Sequence, residues 1–424
     1  MRPLRRLVPA LCALLGCGTE SPVPGPQLPA DVARVFQSQC ASCHSAPPRY
    51  GAPMPLATWA DTQRGAVSDP ARRVWQLVGQ RVHDATRPMP PTRLSPTDLA
   101  VIDRWVAAGA PGCTGASCGS VSSAPPTTAP TLACTETHRF VAHAPGGTAP
   151  FRVPGAAGNL NKCFAFRSPF NGTTQATGFA AAVDNARVLH HLILFATDRP
   201  QQDGAVFDCD GNMPQDARFL SGWAPGNQGT AMPADVGMEL PGPSGWFILQ
   251  VHYWNTGAEA ADDTSGIRLC TTDTPRAHVA AVHTLGSLDI AIPPRSTSTE
   301  VRGECAPRAT EPVHILGATA HMHRLGLSQR TEILRGGDAS RAEMMLDVPA
   351  YSFDNQVSTP LDLVVMPGDR LRTTCRYQNP GSATAYFGER TEDEMCFAFV
   401  LAWPAGALAD DFGAASRRCI RAAR

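Results

Sequence analysis

The apolar positions of the chain change period once along its length. Between residues 28 and 111 they recur at helical spacing. Val32, Val35 and Phe36 line one side of a segment that Asp31 can cap, and Asp69-Pro70 reads as cap and first position of a second helix carrying Val74, Leu77, Val78 and Val82. Ser95-Pro96-Thr97-Asp98 opens a third, with Leu99, Ile102, Trp105 and Val106 as its buried stripe and Gly109 ending it. Residues 112–133, rich in Gly, Ser, Pro and Thr, hold no sustained period and read as a linker. From Cys134 onward the apolar positions alternate in short runs divided by Pro and Gly, the pattern of antiparallel β-sandwiches. The expected fold is a small all-α domain followed by all-β sandwich material.

Ahead of these regions, Arg2, Arg5 and Arg6 flank the apolar stretch Leu7 to Leu15, too short to span a bilayer, and Gly16-Cys17 follows it. This has the form of an export signal. The run Leu14-Leu15-Gly16-Cys17 resembles the lipobox of bacterial lipoproteins. That resemblance implies a signal peptide over 1–17, a lipidated Cys17 and a proline-rich tether over 18–27. It also implies a periplasmic or outer-membrane-associated bacterial lipoprotein, held at the membrane by its lipid alone. The alternative is an ordinary secretory signal that contains a cysteine.

With 36 basic against 37 acidic side chains in 424 residues and no basic block, the chain lacks the field that a phosphate backbone requires. Nucleic acid is not an expected partner. Of the 14 cysteines, setting aside Cys12 and Cys17 in the leader and Cys40 and Cys43 leaves an even ten, which points to disulfides in an exported protein. Cys113 and Cys118 lie close enough to pair within the linker.

Cys40-Ala41-Ser42-Cys43-His44 is the C-x-x-C-H of covalent c-type haem attachment. Two thiols add to the vinyl groups, and the adjacent imidazole takes one axial iron position. A zinc or redox C-x-x-C calls for a second such pair or a thioredoxin-like setting, and the sequence has neither. With the helices around it, the motif gives a small cytochrome c pattern over 28–111 that carries one haem c. Class I cytochromes place a methionine ligand in a proline-rich loop before the last helix, which here is Met89 in Arg87-Pro88-Met89-Pro90-Pro91. Met54 and His83 are the competing candidates.

Four of the alternating runs carry groups able to bind a metal: His190-His191, Gln250-Val251-His252-Tyr253, His321-Met322-His323 and Glu394-Met395-Cys396. His321 and His323 are two apart, so on a strand both leave the same face and can chelate one ion. The adjacent His190 and His191 point to opposite faces of a regular strand. They share a metal only if the backbone bulges there or the rings bind through different nitrogens. Imidazole with the thioether of Met395 favours copper, above all Cu(I).

In this order, with Leu325-Gly326 after the His-x-His, the motifs resemble the copper type II ascorbate-dependent monooxygenases, the peptidylglycine and dopamine hydroxylating enzymes. The resemblance covers residues 134–424 and implies two jelly-roll sandwiches, 134–280 and 281–424, with one copper ion on each and solvent between. It implies His190, His191 and His252 as ligands of an electron-transfer copper. His321, His323 and Met395 then hold the copper that binds dioxygen and are the catalytic set, while Gln250 supports the first site. The resemblance also implies the disulfides Cys134–Cys270, Cys163–Cys209, Cys305–Cys419 and Cys375–Cys396, which use all eight cysteines beyond the linker. Thr197 stands where the family has a further cysteine.

The implied activity is hydroxylation of a C–H bond with dioxygen, for which family members draw on ascorbate. The haem motif adds the expectation that the cytochrome, served by a periplasmic electron donor, feeds the coppers within one chain. Thr319 stands where the peptide-hydroxylating relatives carry an arginine, Phe397 replaces a polar contact residue, and Phe399 replaces a tyrosine. A small neutral or apolar substrate is therefore expected. The non-catalytic alternative is an exported haem and copper protein that transfers electrons or binds copper. His138, His143, His278, His283 and His314 read as surface or hydrogen-bonded core residues, and Met213, Met232, Met238 and Met366 as core or loop. Glu394 reads as a solvated carboxylate, with orientation of its loop as the alternative.

Overall fold

The computed structural model describes residues 25–420 apart from 85–87, 91–93, 116–117, 120, 122–131, 133, 211, 226, 256, 308, 350, 352, 354–355, 389–392 and 409–417. Cys17, with the rest of the leader, lies outside the described residues.

Four short helices, Ala30–Val35, Trp59–Thr62, Val74–Val82 and Pro96–Ala107, build the first module. The last starts as its sequence dictates. Ser95 accepts from the Asp98 N–H, Pro96 fills the first turn, and Gly109 leaves the helix at φ +78°. Phe36, Ile102 and Trp105 are buried together in the module's core. Two helix starts differ from the sequence expectation. Asp31 sits inside the first turn and accepts from Val32 N–H, while Pro29 takes the cap position. The third helix begins at Val74 instead of Asp69-Pro70, because Ala66 N–H donates to Arg72 O and Gly65 bridges Arg73. That pairing holds Arg73 extended at ψ 151°. The first part of the expected linker also belongs to this module: Leu28 and Pro29 pair with Gly119 and Cys118, and Val121 is buried in the helical core.

The remainder is β-structure in two sandwiches that share a sheet. In the first, the five strands Val206–Asp208, Gly158–Arg167, Trp246–Asn255, Leu189–Thr197 and Arg218–Trp223 form one layer. Their inward Leu189, Leu194, Phe247 and Leu249 meet Phe140, Phe179 and Leu269 of the opposing layer. In the second, Ser296–Cys305, Arg370–Asn379, Gly326–Leu334 and Ala342–Val348 close over Val313–Met322 and Cys396–Trp403, around Ile315, Ile333, Leu371 and Val400. The strand His278–Ser287 joins them. Its residues 278–280 run parallel to Val236–Met238, and its residues 281–287 pair with Cys396–Ala402. One ten-stranded sheet thus passes through both sandwiches, and the expected division at 280/281 falls inside a strand.

Disulfides join Cys113 to Cys118, Cys134 to Cys270, Cys163 to Cys209, Cys305 to Cys419 and Cys375 to Cys396. Such bridges form in an oxidising compartment. No helix among the described residues is long and apolar enough to cross a membrane. Three of the unmatched histidines are held in local contacts: His143 bonds to Ala144 O, and His278 and His314 stack on Trp403 at 3.8 and 3.9 Å.

Candidate functional site

The strands Leu189–Thr197 and Trp246–Asn255 lie side by side, with His252 opposite His191 but Tyr253 opposite Leu189. His190 is the extra residue of a β-bulge, and the bulge turns it toward the same side as its neighbour. The buried flanking Leu189, Leu192 and Leu194 pin the register. As a result the rings of His190 and His191 each lie 4.7 Å from that of His252. The Nδ1 atoms of His190 and His191 are 3.0 Å apart, those of His252 and His191 3.3 Å apart, and one potential ligand atom from each residue lies within 4.8 Å of the others. Three ring nitrogens converging so closely form a set of donors that could hold one metal ion. Burial, reinforced by the charges of His190 and Arg324, lowers the pKa of His252 well below the usual histidine range. That keeps the ring in the neutral form that binds a metal. Gln250 is half-buried two residues before His252 on the same strand.

The second set occupies the neighbouring sandwich. His321 and His323 leave one face of their strand, ring centroids 5.4 Å apart and nearly perpendicular. His321 Nδ1 meets Gln356 Oε1 at 2.7 Å, and His323 Nδ1 meets the Asp393 carbonyl at 2.9 Å. Both acceptors require an Nδ1–H donor, which leaves each Nε2 lone pair for a metal. Burial, then the charge of His323, pushes His321 down to about 3 against the pull of Gln356. The paired register ends with His321 opposite Phe397 and Met322 opposite Cys396, and His323 and Met395 are the next residues of the two segments. The Tyr377 hydroxyl donates to Met395 O, and the Cys375–Cys396 disulfide fixes the adjacent residue.

Glu394 departs from expectation. It is fully buried, where its carboxylate accepts from His323 N–H at 3.0 Å and Leu325 N–H at 2.7 Å. Burial raises its pKa to about 7 although these backbone donors and that of Met395 oppose the shift. It ties the His323 segment to the Met395 strand.

Three further residues join the two sets. The Phe353 ring lies 6.3 Å from His191 and 5.9 Å from His323. Asn227 of the first sandwich donates to Gln356 O and accepts from Ser358 N–H, both at 3.0 Å. Phe219 stacks on Phe399 at 4.7 Å, and Phe399 in turn lies 5.2 Å from His321. Phe399 and the buried Phe397 give this side of His321 an apolar wall, while the Thr319 hydroxyl is engaged with Ser358 at 2.8 Å. Sequence reading did not single out Gln356, Phe353 or Asn227. They sit in irregular segments whose polarity carries no period.

In the helical module, Cys43 N–H and His44 N–H both donate to Cys40 O. His44 Nδ1 meets the Met54 carbonyl at 2.8 Å, so its Nε2 is the atom presented for ligation. Burial lowers the pKa of His44, against the pull of the Met54 hydrogen bond. Burial and neighbouring Cys43 push the Cys40 thiol up to about 12. Met89 is half-buried between buried Pro88 and Pro90, its N–H on Arg81 O. Of its competitors, Met54 supplies the carbonyl that orients His44, and His83 is exposed with its ring on Asp103 at 2.7 Å.

Two histidine sets on adjoining sandwiches are a donor arrangement that suits a pair of separate metal ions. Residues 148–260 match the family model of the copper type II ascorbate-dependent monooxygenase N-terminal domain, and residues 276–419 that of its C-terminal domain. The chain belongs to this family. It is 27% identical over 267 residues to peptidyl-glycine alpha-amidating monooxygenase A of Xenopus laevis, a match covering 60% of this chain and 28% of that protein. It is 30% identical over 243 residues to dopamine beta-hydroxylase of Homo sapiens, covering 52% of this chain and 39% of that protein. The chain therefore spans well under half the length of these relatives.

Proposed function

We propose that this chain is an exported copper monooxygenase that hydroxylates a C–H bond of a small neutral or apolar substrate and draws its electrons through a haem c on its own helical module. One oxygen atom of dioxygen enters the C–H bond and the other leaves as water, which consumes two electrons and two protons. Copper, when bound, supplies the one-electron chemistry that dioxygen reduction needs. His190, His191 and His252 would hold one ion, which would supply electron storage, with Gln250 as a support. His321, His323 and Met395 would hold the second ion, whose cuprous form a thioether donor would favour. The reading is supported above all by the two imidazole sets, oriented by their own hydrogen bonds and bulge, that meet around Phe353 at the junction of the sandwiches.

The protein's own groups position the reaction. Gln356 and the Asp393 carbonyl fix the tautomers of His321 and His323, and Glu394 fixes the strand spacing on which Met395 depends. The wall of Phe397 and Phe399 beside His321 suits an apolar substrate body and excludes water from the reacting C–H bond. Cys40, Cys43 and His44 would hold the haem, with Met89 as a further ligand, and the haem would supply one-electron transfer. Lipidation at Cys17 places the enzyme at a bacterial membrane surface, where a periplasmic donor, or ascorbate, reduces it. Turnover of small apolar C–H donors under ¹⁸O₂ tests the reading. Product carrying one labelled oxygen, lost in Met395→Ala while the three-histidine copper remains loaded, is the expected outcome. Loaded coppers without label incorporation would instead mark a haem and copper electron-transfer protein.

A further inference from the structure

Among the described residues, a short loop of the helical module lies against the first sandwich, beginning at the C-x-x-C-H motif and ending at the strands of the three-histidine set. Arg49 N–H donates to Cys43 O at 2.8 Å. The next residue, Tyr50, donates its N–H to Ala186 O and lays its ring 5.7 Å from Trp223, against the core of the first sandwich. Gly51 lies flat on Trp254: a Cβ there would sit 2.8 Å from the indole Cδ1. Trp254, two residues beyond His252, donates its N–H to Val188 O at 2.8 Å, and Val188 lies two residues before His190. The backbone is strained at Tyr50, which sits at φ +51°, while Gly51 takes φ +74° freely as a glycine can. Surrounding contacts must hold a bulky left-handed residue in place, and such strain collects where geometry serves function.

We infer that the Arg49–Gly51 loop is an electron-transfer junction, delivering electrons from the Cys40–Cys43–His44 haem to the copper of His190, His191 and His252 and not to that of His321, His323 and Met395. A continuous run of covalent bonds and two hydrogen bonds leads from Cys43 through Arg49 and Tyr50 to Ala186. It continues along the chain to His190, and from Val188 across to Trp254 and His252. Tunnelling decays far less along such a run than across a gap. The step is one electron: ferrous haem becomes ferric, cupric ion becomes cuprous, and no bond or proton moves. Because the donor is docked on the acceptor's own strands, delivery depends on neither protein concentration nor diffusion.

The inference rests on the haem and copper assignments of the proposed function, so the test counts both groups first. The full chain, matured with haem and loaded with copper, is photoreduced at the haem by a flash-generated flavin semiquinone. Haem reoxidation is followed by its α-band, and loss of the cupric signal by freeze-quench electron paramagnetic resonance. The expected result is a first-order, concentration-independent phase that persists in His321→Ala and vanishes in His190→Ala. Trp254→Ala, which removes the indole on which Gly51 packs and so loosens the Tyr50–Ala186 contact, slows it on the order of tenfold or more, and Trp254→Phe recovers most of the rate. Gly51→Leu, which wedges the loop off the indole, acts in the same direction. A phase that survives in His190→Ala, scales with protein concentration, or ignores both Trp254→Ala and Gly51→Leu overturns the junction while leaving the haem and copper counts intact. A chain that binds no haem, or no copper at the three histidines, overturns the underlying reading as well.

Discussion

At His190 the chain carries one residue more than its partner strand, and that single residue turns two adjacent imidazoles toward His252. The other site has no such irregularity, since strand alternation already puts His321 and His323 on one face, and its refinement comes from acceptors behind the rings. Gln356 is the more exposed of these dependencies, because it holds His321 with a flexible side chain. Gln356→Ala should weaken copper binding at that site about 10- to 100-fold and leave the three-histidine site unchanged, as read by Cu(I) competition titration. Equal affinity in the variant would mean that packing alone orients His321. The same comparison explains why Glu394 is misread from sequence. Its acidic neighbours suggest solvent, whereas two backbone N–H groups contributed by residues some seventy positions earlier draw it inside.

Among the elements, those governed by local rules were legible and those governed by distant pairing were not. Ser95-Pro96 and Asp98 specify a helix start within four residues, and the helix begins there. The start at Val74 depends on a bridge between Gly65 and Arg73, which no local rule at Asp69-Pro70 reveals. The His-x-His needed only the period of a strand, but the bulge at His190 depends on register with a strand some sixty residues later. Turns can be decisive in the same way. The turn between Ser358–Val365 and Arg370–Asn379 is organised by buried Asp369, which accepts from Gly336 N–H, Met366 N–H and Arg335. Burial pushes its pKa up, but the two backbone donors and Arg335 outweigh that and hold the carboxyl below its ordinary 3.8. A depressed folded pKa means stability that is present above the ordinary value and is lost as pH falls through the folded one. Asp369→Asn should therefore cost about 2 kcal/mol at neutral pH, and the difference from the parent should shrink below pH about 4 in chemical denaturation. A gap that stays constant down to acid would rule out the carboxylate as its source.

For the whole molecule, the shared ten-stranded sheet and the contacts of Asn227 and Phe219 make the relation between the two histidine sets a property of the fold. Asn227 bridges to Gln356, the residue that orients His321, so the first sandwich participates in building the site of the second. Asn227→Ala should lower stability by about 2 kcal/mol and also weaken copper at the His321 site, whereas the three-histidine site keeps its affinity. Loss of stability alone would confine Asn227 to packing. The helical module extends the same logic upstream, because its Tyr50 loop rests on the strands that carry His190 and His252. The most direct measurement is the copper content of the full chain after reconstitution and desalting, determined by metal analysis for the parent, His190→Ala and His321→Ala. Two copper ions per chain, with each variant retaining one, is the expected result. One ion or none in the parent, or loss of both in either variant, would contradict a pair of independent copper centres.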